Sequence, residues 1–219
     1  MKPIAIIDCA IDGPSYRCTN KMSDSFKVPI TYHWVSRFGL DSLKRIEEPS
    51  AYIIYGSKSN VDDKLAWQIE LAEFIKDKIE RGIPTLGICF GHQLMADAYG
   101  ARVDYLKDEN TKAKGVREIE FTSNKFGYSI GEKLSLFVTH YYEVKELPDG
   151  FIHLASSQEC KFDGLAHQTL PFISFQGHPE ASEYFLSDQE INLSEEDLAK
   201  GYKGGKEVLR RFISILENK

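Results

Sequence analysis

No apolar stretch in this 219-residue sequence approaches the roughly 20 residues that a helix needs to cross a bilayer. The opening Met1-Lys2-Pro3-Ile4 lacks the basic region, apolar stretch and cleavage site of a secretory signal. These two absences predict a soluble, cytoplasmic protein with no membrane partner. Basic residues are outnumbered, 27 Lys and Arg against 33 Asp and Glu, for a formal charge of −6. That balance speaks against nucleic acid, whose phosphates are bound by clustered cations. Cysteine is sparse. Cys9, Cys18, Cys89 and Cys160 are scattered through a chain too large to need stapling, so reduced thiols are expected. There is no P-loop, no clustered His/Cys ligand spacing, no solenoid repeat and no low-complexity linker. The expectation is therefore no metal, no cofactor, and one domain spanning residues 1–219.

What is present is an alternation of short apolar runs with amphipathic segments. Ile4 to Ile7, Val28 to Val35, Ala51 to Tyr55 and Ile83 to Ile88 read as buried strands, and the segment between the first two as a loop. Asp41 to Glu48, Asp62 to Arg81 and Phe90 to Tyr99 read as helices, the second carrying Leu65, Ile69, Ala72, Ile75 and Ile79 at three- and four-residue intervals. Such alternation predicts an α/β fold, a mostly parallel central sheet flanked by helices, with sites at the carboxyl ends of its strands. Further on, Val116 to Phe121, Leu136 to Thr139, Ile152 to Ala155, Gly164 to His167 and Phe172 to Phe175 are closely spaced strand candidates, which predict a small antiparallel extension. Ser194 reads as a helix start and Val208 to Leu216 as a final helix, so residues 186–219 form a C-terminal helical extension.

The chemistry-bearing motif lies where the fourth strand meets a helix. Gly87-Ile88-Cys89-Phe90-Gly91 has the G-x-nucleophile-x-G form, in which small residues let the chain turn sharply and hold the central side chain above the sheet. Cys89 would also stand at a helix N-terminus, whose partial positive charge favours a thiolate. Cys9, Cys18 and Cys160 have no such setting and read as buried, inert thiols. A thiolate nucleophile needs an imidazole. Of the six histidines, His178 follows a strand, and in His178-Pro179-Glu180 the proline keeps the chain extended, so Glu180 points the same way and can orient the ring. His92 suits packing in a first helical turn, and His33, His140, His153 and His167 read as structural, His140 least firmly. Amide hydrolysis passes through an oxyanion, for which the N–H groups of Phe90 and of the strand-end loop at Gly56 are the candidate donors.

Taken together, Gly87-Ile88-Cys89-Phe90-Gly91-His92-Gln93 and Gln176-Gly177-His178-Pro179-Glu180 resemble the class I glutamine amidotransferases, a family of flavodoxin-like fold. The resemblance takes in Tyr55-Gly56-Ser57 and Thr139-His140-Tyr141 and covers roughly residues 1 to 185. It implies a Cys89–His178–Glu180 triad, a glutamyl thioester, release of ammonia from glutamine, substrate contacts from Gln93 and the Tyr141-Tyr142 backbone, and a separate ammonia-accepting synthetase. Two positions depart from the family. Gly177 replaces an aromatic residue of many synthase-linked members, and Gly56-Ser57-Lys58 replaces a Gly-Gly-Pro loop. These predict room for a leaving group larger than ammonia, so a γ-glutamyl peptidase acting on glutathione-like compounds is one alternative. A non-catalytic partner or regulatory subunit that keeps the fold is the other.

Overall fold

The structure, a computed structural model, describes residues 2–217. Its elements run β1 (Ile4–Asp8), α1 (Tyr16–Phe26), β2 (Ile30–Trp34), α2 (Val35–Phe38), α3 (Asp41–Arg45), β3 (Ala51–Ile54), α4 (Ala66–Glu80), β4 (Thr85–Ile88) and α5 (Phe90–Ala98). The second half continues with β5 (Val103–Tyr105), β6 (Ala113–Phe121), β7 (Lys133–His140), β8 (Tyr142–Val144), β9 (Phe151–Ser156), β10 (Gly164–His167), β11 (Phe172–Phe175), α6 (Glu183–Asp188) and α7 (Glu195–Glu217).

The strands form one nine-stranded sheet in the order β2-β1-β3-β4-β11-β10-β9-β6-β7, with β5 and β8 paired separately. From β2 through β11 all neighbours are parallel, and from β11 through β7 all are antiparallel. The antiparallel extension therefore continues the main sheet. The burial patterns explain the two halves. In β1 every residue is buried, Ile4 and Ile6 in one core and Ala5 and Ile7 in the other, because helices cover both faces. Each buried isoleucine contributes about 1.5–3 kcal/mol. In β6 the buried Arg117, Ile119 and Phe121 alternate with exposed Glu118 and Glu120, the mark of a strand covered on one face.

Three local expectations change, and one short helix had no counterpart in the sequence reading. The segment after β1 contains α1, whose polar sequence buries only Cys18, Thr19 and Met22 and so shows little apolar periodicity. The helix expected from Asp62 starts at Ala66: Val61–Asp63 is a separate 3₁₀ turn, Lys64 is left-handed at φ 45°, and the Gln68 side chain accepts the Leu65 N–H to open α4. Glu183–Asp188 is a short helix capped by Ser182. The two helical signals at the C-terminus belong to one helix, α7, begun by Ser194 accepting the Asp197 N–H at 3.1 Å. It runs straight through Gly201, Gly204 and Gly205 because it lies against backbone: a Cβ at Gly204 would stand 2.0 Å from the Ser135 carbonyl oxygen, and one at Gly205 2.6 Å from that of Pro179.

Candidate active site

The parallel strand β4 ends at Ile88 and α5 begins at Phe90, so Cys89 alone makes the turn. It does so at φ 50° and ψ −101°, a sparsely populated positive-φ conformation that costs an ordinary residue on the order of 1–3 kcal/mol. The turn is closed on both sides, the Cys89 N–H donating to Phe175 at 2.9 Å and the Gln93 N–H to the Cys89 carbonyl at 3.0 Å. A Cβ at Gly91 would meet the Ile54 carbonyl at 2.6 Å, and one at Gly87 the Gly91 carbonyl at 2.8 Å. Only glycine lets the helix approach the sheet this closely, which is the physical content of the motif.

His178 lies beyond the neighbouring strand β11. Its N–H donates to the Phe137 carbonyl of β7 at 2.7 Å, forming a single bridge that anchors the segment. Its Nδ1 is 2.9 Å from Glu180 Oε1, and both side chains are buried. Phe185 of α6 covers the ring, with centroids 4.6 Å apart. Burial by itself lowers the proton affinity of this imidazole, but the Glu180 carboxylate and the Cys89 sulfur outweigh it, and the His178 pKa is pushed up to about 10. His140 moves the other way, down to about 3, through burial and then the charge of Arg117. His92 also falls to about 3, through burial, with Nδ1 against Ser174 Oγ at 2.8 Å.

Cys89, Gln93, His178 and Glu180 line one cleft of about 490 Å³, together with Gly56, Tyr141 and Tyr142. A Cβ at Gly56 would be 2.9 Å from His178 Cε1 and 3.5 Å from Cys89 Cβ, so the loop backbone lies against both. The Phe90 side chain turns away into the core beside Trp67, and Phe90 is not among the residues that line the cleft. Gln93 donates from Nε2 to the Tyr142 carbonyl at 2.7 Å and to Gln176 Oε1 at 3.0 Å. The Tyr141 carbonyl accepts from Leu106 N–H. Both tyrosine carbonyls are thus committed within the protein.

Gly177 does not open the cleft. Its missing side chain is replaced by β7, where a Cβ would stand 2.7 Å from Leu136 Cβ and 3.2 Å from the Phe137 carbonyl. The expected room for a bulky leaving group at that position is therefore filled. His33, His92, His153 and His167 lie outside the cleft, as read from sequence, whereas His140 lines it. Sequence reasoning missed Gln176, which is fully buried and donates from Nε2 to Cys89 Sγ at 3.6 Å. The signal was available, since Gln176, His178 and Glu180 alternate along an extended segment. Phe185 had no comparable signal. Among the described residues, no group of three or more His, Cys, Asp or Glu is arranged to hold a metal, and no helix is long and apolar enough to cross a membrane.

This fold and motif set are those of the class-I glutamine amidotransferases, whose family model matches residues 20–189, and the chain belongs to that family. The match ends before α7. The chain is 35% identical over 147 residues to a glutamine-hydrolyzing GMP synthase subunit of Methanosarcina acetivorans, covering 65% of this chain and 70% of that one. With the corresponding protein of Methanosarcina barkeri the identity is 34% over 175 residues, 78% of this chain and 76% of the other. In fold it resembles a glutamine amidotransferase from Thermotoga maritima, with TM-score 0.72 and 19% identity over 99% of this chain and 98% of that one. A glutamine amidotransferase from Methylobacillus flagellatus is similar at TM-score 0.73, with 20% identity over 98% and 95% of the two chains.

Proposed function

We propose that this chain hydrolyses the γ-amide of glutamine through a thioester on Cys89, with His178 as proton carrier and Glu180 as its orienter. The observation that carries this reading is the convergence of an elbow cysteine and a buried, carboxylate-paired histidine in one cleft, with the Gly56 backbone against both. The Cys89 thiolate attacks the γ-carbonyl carbon, and the resulting oxyanion is held by the backbone N–H groups of Phe90 and Gly56. His178 gives its proton to the departing nitrogen and ammonia leaves. Water then attacks the thioester, losing a proton to His178, and glutamate is released with the thiolate restored.

Gln93 is the proposed substrate anchor. Both of its N–H groups are used within the protein, so its Oε1 remains as an acceptor suited to the α-ammonium of the substrate. The exposed edge at Tyr141 and Tyr142 supplies the other wall. The ammonia is passed to a separate synthetase chain, a reading supported by the relatives whose names describe one subunit of a glutamine-hydrolyzing GMP synthase. Incubation with an electrophilic glutamine analogue, followed by peptide mapping, tests the core of the proposal. Modification at Cys89, blocked by excess glutamine and accompanied by loss of ammonia release, is the expected result. An unlabelled Cys89 in a protein that still releases ammonia would sink it.

A further inference from the structure

Three amide groups run in line from the substrate wall to the sulfur, and their polarity is forced. The Tyr142 carbonyl oxygen carries no proton, so the Gln93 side chain must turn its NH₂ toward it, at 2.7 Å. The other Gln93 hydrogen then meets Gln176, which must present Oε1, at 3.0 Å. That leaves Gln176 Nε2 facing Cys89 Sγ, at 3.6 Å. Reversing Gln176 would set two NH₂ groups against each other and aim a carbonyl oxygen at the sulfur. Gln176 is fully buried and Gln93 nearly so, and such a mismatch would be costly there.

The starting point of this chain is itself held in place. Arg117 has donors only, so where its Nη1 meets His140 Nε2 at 3.0 Å the ring nitrogen accepts. His140 therefore carries its proton on Nδ1 and gives it to the Tyr142 carbonyl at 2.8 Å, filling that oxygen's second lone pair. Arg117 Nη1 also donates to Asp163 Oδ1 at 2.9 Å, and the Asp163 backbone carbonyl accepts the Gln176 N–H at 2.9 Å. One buried ion pair thus braces both ends of the relay.

We infer that Gln176 is a catalytic residue of this site, its side-chain amide donating to the Cys89 sulfur and held in that sense by the relay from Tyr142 through Gln93. The assignment rests on Cys89 being the nucleophile. A donor aimed at the sulfur stabilises the thiolate both before attack and when it is regenerated by thioester hydrolysis. It also ties the group that anchors substrate to the group that reacts with it.

Iodoacetamide alkylation of Cys89, followed by peptide mapping over a range of pH, tests this in the unaltered chain and three variants. Gln176→Leu removes the donor at similar volume. Gln176→Glu keeps an acceptor for Gln93 but sets an oxygen beside the sulfur. Gln176→Asn keeps the amide and withdraws it by one methylene, which covers the case of a leucine variant that fails to fold. The expected result is alkylation slowed about tenfold by leucine or asparagine at about pH 6, slowed further by glutamate, with all rates converging at high pH. Turnover of glutamine falls in the same order, and KM for the asparagine variant stays within about threefold. Coincident alkylation profiles for all four proteins, with Cys89 still the modified residue, would overturn the role of Gln176 and leave the nucleophile standing. An unaltered chain that releases ammonia without alkylation at Cys89 would overturn both.

Discussion

Cys89 and His178 share one cleft, yet the backbone beneath them is held in different ways. The turn that presents the sulfur is held within the parallel half of the sheet, by the close contact of Gly87 with Gly91, by Gly91 against Ile54 of β3, by the Cys89 N–H on the Phe175 carbonyl of β11 and by the first hydrogen bond of α5. The segment that presents the imidazole relies on remote partners: the Phe137 carbonyl of β7, the Phe185 ring of α6, and Gly205 of α7 seated on the Pro179 backbone. The proposed nucleophile, fixed by the buried parallel strands, and the proposed base, fixed by the antiparallel strand β7 and the helices α6 and α7, should respond to different perturbations. Changes in the elbow and the strands beside it should disable the first, and changes in β7, α6 and α7 the second.

The largest effect belongs to the elbow. Cys89→Ala should lower glutamine hydrolysis by about 10⁴-fold or more while the melting temperature barely moves, because the side chain points into the cleft. Cys9→Ala, Cys18→Ala and Cys160→Ala, measured alongside, should retain most activity. More than a trace of turnover in Cys89→Ala would remove the elbow from the comparison. On the other side, His178→Ala should cost about 10⁴-fold or more and Glu180→Gln less, since in the proposed mechanism the carboxylate orients the ring without transferring the proton. Steady-state ammonia release ranks the two, and an inverted order would mean that Glu180 does more than orient.

Gly205→Ala sharpens the contrast. It lies 27 residues after His178 in the chain, and its new methyl group would stand 2.6 Å from the Pro179 carbonyl. The helix or the His178-Pro179-Glu180 segment must give way. About tenfold lower kcat with KM little changed is expected, together with a stability loss of about 1–3 kcal/mol. A lowered melting temperature with unaltered kcat would reduce α7 to scaffold and dissolve the contrast.

The last effect is on stability against pH and needs no change in the cleft's chemistry. The folded His178 pKa, about 10, lies above that of the unfolded chain, about 6.5. The stabilisation from holding this proton is therefore complete below the unfolded value and is lost as pH rises toward the folded one. Denaturant midpoints should decline across that window, and less steeply in His178→Gln. Identical slopes would place the pH dependence elsewhere.

Much of the proposed site could be read from residue order because its motifs are short. Gly87, Cys89 and Gly91 encode a strand-to-helix turn within five positions, and His178-Pro179-Glu180 encodes a paired ring and carboxylate within three. The apolar runs at β1, β3 and β4 announced buried parallel strands for the same reason: both faces are covered, so every position is apolar.

What the order of residues left open were features whose cause lies on another element. The polar helix α1 has few apolar positions to show a period, and α7 keeps three glycines that a reading by propensity alone would treat as breaks. Gly177 looked like empty space and is filled by Leu136. The amide of Gln176 could be seen to share a face with His178, but its direction is decided by a carbonyl on Tyr142 and a guanidinium on Arg117, far away in sequence. Hydrogen-bond polarity of this kind propagates through space from groups that can only accept or only donate, and only the folded chain brings those groups into contact.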